Sequence, residues 1–108
     1  MSVEEESIVD AIGVARDSNV VVLTISDHLD WDQANEHLMT LQSKINRYLA
    51  FIESGELLEK YPEAAGRPVR IDVVCKHAPS QAALAFLAKA EAAVRHAGFS
   101  FGWRVLAA

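Results

Sequence analysis

The chain has one cysteine, three prolines, five glycines and two tryptophans in 108 residues, and no excess of positive charge. The lone Cys75 cannot close an internal disulfide, and neither a C-x-x-C pair nor zinc-finger Cys/His spacing occurs. A reducing, intracellular compartment is the expectation. So few prolines and glycines, with 51% hydrophobic and 23% charged residues, exclude collagen-like, low-complexity and disordered classes. No apolar run approaches the roughly 20 residues that span a bilayer. The first residues, Met1 to Glu6, are acidic where a secretory signal is basic, so neither a membrane location nor export is expected. Fifteen acidic against ten basic residues give a net charge of −5. That field repels nucleic-acid phosphates and anionic lipid headgroups, which makes both unexpected partners.

What is present is enough apolar sequence for one domain, residues 1–108, with residues 1–7 polar and expected to fray. A mostly apolar run from Ile8 to Ala15, the turn formers Arg16 to Asn19 and the β-branched Val20 to Ile25 read as a hairpin. Asp30 with Gln33 forms a capping-box variant. Beyond it Ala34, Leu38, Leu41, Ile45, Tyr48, Leu49 and Ile52 recur at helical spacing, with Lys44 among the polar residues assigned to the other side. Gly55 ends this helix, or the chain continues to Tyr61-Pro62.

Val69, Ile71, Val73 and Cys75 alternate with more polar residues, as in a half-exposed strand. Ser80 caps a second helix with Ala83, Leu84, Leu87, Ala90 and Val94 as its buried stripe, and Gly98 stops it. Phe99, Phe101, Trp103 and Val105 then alternate as the inward face of a last strand. The order ββαβαβ predicts an α+β two-layer sandwich, a four-stranded mixed sheet with two helices on one face. Both 1-2-3-4 and 2-1-3-4 strand orders satisfy this pattern.

Three strings, Val9 to Gly13, Val22 to Trp31 and Phe51 to Glu56, resemble a family of small bacterial proteins known as hypothetical open reading frames. The likeness spans residues 8 to 106. It implies a bacterial, cytoplasmic setting and transfers no activity, cofactor or catalytic residue.

Two clusters have residue types that carry chemistry. Asp27, His28, Asp30 and Asp32, with His37 further on, combine carboxylates and imidazoles, but their spacing matches no metal motif, and the plainer reading is caps and solvated histidines. Topology suggests the second. Ligands of open sheets bind beyond the carboxyl ends of parallel strands, where Asp27 and His28 follow one strand and Lys76 and His77 the next. Two helix N-termini open at the same end, making these four residues a candidate anion site. Cys75 reads as a buried thiol, and no metal, cofactor or catalytic residue is implied.

The uncovered sheet face would carry Thr24, Ser26, Arg70, Asp72, Val74, Ser100, Gly102 and Arg104, without the aromatics that bind single-stranded RNA. A non-enzymatic cytoplasmic protein-interaction module of unknown partner, able to pair with itself as a homodimer, is the leading expectation. A small enzyme or anion binder at the strand ends is one alternative, and an immunity-type inhibitor of a basic toxin is another.

Overall fold

The computed structural model describes residues 11–15, 18–27 and 36–106. The elements are β1 (Ala11–Ala15), β2 (Val20–Asp27), α1 (Glu36–Glu53), α2 (Glu56–Lys60), a 3₁₀ turn (Pro62–Ala64), β3 (Val69–Cys75), α3 (Gln81–His96) and β4 (Ser100–Val105). The fold is the expected α+β mixed sheet, with α2 as an additional short helix. The cap assigned to Asp30, His28 and the acidic residues 1–7 lie outside the described residues.

The sheet runs β1-β2-β3-β4, which decides between the two orders the pattern allowed. β1 pairs antiparallel with β2, Ile12 opposite Leu23, and the other two ladders are parallel, with Leu23 beside Ile71 and Ile71 beside Phe101. Because side chains alternate across a strand, this register puts Val21, Leu23 and Ile25 in one row set with Val69, Ile71 and Val73, all buried. Leu41, Ile45, Tyr48 and Phe51 of α1 and Leu87, Ala90 and Val94 of α3 complete that core. The other face carries Thr24, Asp72 and Gly102 in one row. There Arg70 Nε donates to Asp72 Oδ1 at 2.6 Å. A Cβ on Gly102 would lie 1.8 Å from Arg70 Nη2, so the missing side chain makes room for the guanidinium across β4.

Local chemistry fixes the helix ends. Gly55, at φ +90°, adopts a left-handed conformation that separates α1 from α2, so the helical sequence before Pro62 does continue, but with a break. Ser80 accepts from the Ala83 N–H at 3.2 Å. At the other end of α3, Gly98 has φ +98°, its N–H donates to the Arg95 carbonyl, and that of Phe99 donates to the Val94 carbonyl. This pair of bonds is a Schellman motif, and it is the physical form of the stop that Gly98 signalled. Ser80→Ala should lower stability by about 1 kcal/mol, read as a shift in urea midpoint without a change of slope.

Two inward assignments need correction. Leu84 of α3 is exposed, and of the aromatic alternation only Phe101 is fully buried, Trp103 and Val105 each keeping 40% of their surface in solvent. Both belong to β4, the last strand of the sheet, and among the described residues no further strand flanks it.

Candidate functional site

At the carboxyl end of β2 the inward row Val21, Leu23, Ile25 terminates in Asp27, which is as buried as the apolar residues before it. A carboxylate there must be met by donors. His37, in the first turn of α1 and equally buried, supplies one: its Nε2–H donates to the two carboxylate oxygens at 2.6 and 2.5 Å. This contact pins the start of α1 to the end of β2.

From His37 the spacing 4, 3, 4, 3 leads to Leu41, Lys44, Tyr48 and Phe51, all of them buried, so the helix face on the sheet includes polar members. Lys44 is wholly buried, and its Nζ lies 5.6 Å from the centre of the Tyr48 ring, a cation–π contact one turn along the helix. The Tyr48 hydroxyl donates to the Thr24 carbonyl at 2.7 Å, fixing the middle of α1 to β2. His37 and Lys44 are therefore not solvated, as their polarity suggested. The true buried face is rotated from the stripe of large aliphatics, and Leu38, Leu49 and Ile52 are its half-buried flank. The missed signal was the 37–41–44–48–51 spacing itself, which only a reading that allowed polar residues into the stripe would have found.

Cys75 lies directly beside Asp27 in the parallel register and is buried, as its place in the alternation indicated. Burial pushes its thiol up to about 11, and the neighbouring Asp27 charge adds to the effect. Such a thiol is protonated and unreactive near neutral pH. Of the four candidate anion-site residues, Asp27 is turned inward and engaged by His37. Lys76 is exposed and tied to Asp27 only through the backbone, its N–H donating to the Asp27 carbonyl at 2.8 Å. His77 is half-buried just beyond, and His28 lies outside the described residues. Among the described residues no group of three or more His, Cys, Asp or Glu is placed to hold a metal, and no helix is long and apolar enough to cross a membrane.

Three surface features lie away from this corner. A groove of about 330 Å³ separates α1 from α3, lined by residues such as Ile45, Leu49 and Phe86. A shallower, polar depression of about 520 Å³ lies where β3 and β4 begin, with Arg70, Arg95 and Glu91 in its wall. The third is the outer edge of β4.

Comparison with known proteins bears on the whole chain. A model of a family of unknown function, DUF6572, matches residues 1–107. The chain belongs to this family. The membership agrees with the resemblance read from the three strings, and as a member of DUF6572 the chain inherits no assigned activity. No curated protein and no solved structure matches it. Any functional reading of this DUF6572 member therefore rests on its own geometry.

Proposed function

We propose that this chain is a non-enzymatic protein-interaction module that docks through the outer edge of β4, and that the partner on that edge is a second copy of itself. The observation carrying this reading is the apolar fringe of the edge: Trp103 and Val105 are each 40% exposed and Leu106 50%. Backbone phase supports it. The Leu106 N–H donates inward to the Cys75 carbonyl, so by the alternation of a strand Ser100, Gly102 and Arg104 also turn their backbone groups to β3. Phe101, Trp103 and Val105 turn theirs outward. These are the groups an added strand would pair with, and their side chains all lie on the helix-bearing face.

Two-fold symmetry suits this arrangement. An antiparallel second β4, centred on Trp103, places each Phe101 opposite the other copy's Val105 and the two Trp103 residues opposite each other. The sheet then continues to eight strands and the apolar fringe is covered. What weighs against a catalytic reading of the strand ends is that Asp27 is engaged by His37 and that the Cys75 thiol is held protonated. Within the interaction reading the protein works in the bacterial cytoplasm, an inference from the family likeness and from a single cysteine with no second one in the chain to pair with.

Sedimentation equilibrium across the micromolar range should show a concentration-dependent dimer. Val105→Lys puts a solvated charge on the fringe without removing an inward backbone bond, and should leave a monomer with an unchanged circular dichroism spectrum. A wild-type chain that stays monomeric at high micromolar concentration, or a Val105→Lys chain that dimerises as tightly as wild type, would exclude the β4 edge.

A further inference from the structure

Seven of the sixteen residues of α3 are alanine, and its flank towards α1 is built from them around two larger side chains, Phe86 and Lys89. Alanines on that flank leave the half-buried Leu49 of α1 and Phe86 of α3 partly uncovered above the buried Ile45, and a groove of about 330 Å³ persists between the two helices. Its size is at the lower end of small-molecule pockets, roughly 300 to 1,000 Å³. The floor is apolar. Its polar groups are Lys89 and the neutral amides of Gln42 and Asn46.

Lys89 is unusual in a chain of net charge −5. One turn to either side on α3 stand Ala85, Phe86, Ala92 and Ala93, and none of the residues across the groove is acidic. Among the described residues Lys89 forms no ion pair, while Glu91, on another side of α3, faces Arg95 at 3.9 Å. The overall negative field falls off over about 10 Å at ordinary ionic strength, so at this groove the local cation dominates. Apolar floor, two amide donors and one uncompensated ammonium form a site of definite polarity.

We infer that the groove between α1 and α3 binds a free amphiphile with an alkyl chain and a single carboxylate, the chain lying on Ile45, Leu49 and Phe86 and the carboxylate accepting from Lys89. Carboxylate oxygens match both the ammonium and the amide N–H groups beside it, whereas an uncharged headgroup leaves the ammonium without a counter-ion. The inference does not depend on the β4 edge, which lies elsewhere on the surface.

Sodium decanoate, kept below its micelle concentration, is the probe, and two-dimensional NMR of the amide-labelled chain is the readout. Saturable shifts are expected at residues 42–49 and 86–93. Lys89→Gln should weaken decanoate binding by about tenfold while leaving decanol binding unaltered. Ala93→Phe, at an exposed position, should fill the groove and abolish both with the fold retained by circular dichroism. The inference is overturned if no saturable shift appears, if the shifts centre on residues 100–106, or if decanol binds the wild type as tightly as decanoate.

Discussion

His37→Ala is expected to destabilise the protein by about 2 to 3 kcal/mol, the cost typical of removing a hydrogen-bond donor from a buried carboxylate. The native contact joins two residues that are each only 2% exposed, at the very place where an apolar row ends in a carboxylate. Truncation removes one donor from a carboxylate that stays buried, so the penalty is chiefly the lost compensation for its desolvation. Replacing both members, Asp27→Val with His37→Leu, should therefore cost less than His37→Ala alone. Urea denaturation of the three variants at neutral pH measures this. A loss under about 1 kcal/mol for the single variant, or a double variant worse than the single, would show that the pair does not hold α1 to β2.

Raising the pH from 8 to 11 should cost the protein about 2 to 3 kcal/mol through Cys75 alone. Its thiol titrates near 9.0 when unperturbed and at about 11 in the folded chain, because burial and the Asp27 charge both oppose the thiolate. Where the folded value is the higher one, the native state holds the proton more tightly than the unfolded state. The associated stability is thus fully present below pH 9 and is lost as the pH rises through 11. Lysines and tyrosines titrate in the same range, so the comparison that isolates the thiol is with Cys75→Ala. At pH 8 that variant should be the less stable, through its small cavity, and by pH 10.5 the difference should have closed or reversed. Parallel pH dependences in the two proteins would show that the thiol is solvated in the native state. Alkylation by iodoacetamide at pH 8 should likewise be slow until the chain is unfolded.

How much of this was legible in the sequence depended on whether apolar residues marked the element. β3 and Cys75 were readable because Val69, Ile71, Val73 and Cys75 alternate without interruption and all four are buried. Ser80 and Gly98 announced both ends of α3 through residue types with few other uses. Strand order was not readable, since the same ββαβαβ string satisfies two sheets and only the position of β1 relative to β3 separates them. The core of α1 was misread in a specific way. Lys44 and His37 belong to the buried face, and a polarity pattern assigns such residues to water unless their partners, Tyr48 and Asp27, are already known to lie nearby. The exposure of Trp103 was equally hidden, because alternation tells which face a side chain is on and not whether the strand has a neighbour.

The β1-β2-β3-β4 order also sets the sequence of events by which the chain must fold. β1 and β2 join through a short turn in which Asn19, at φ +61°, donates to the Ala15 carbonyl, so their ladder closes over a few residues. The β2–β3 ladder is of another kind: Val21 meets Val69, and α1, α2 and the 3₁₀ turn all lie in the intervening loop. Closing that loop costs entropy before any parallel pair forms, and the return comes only when α1 covers the new sheet. Hairpin and helix should thus be formed before β3 docks, with β3–β4 and α3 added around it. The meeting of β2 and β3 is the expected slow step, so in stopped-flow refolding and unfolding, substitutions at Leu23 or Ile71 should slow refolding more than they speed unfolding.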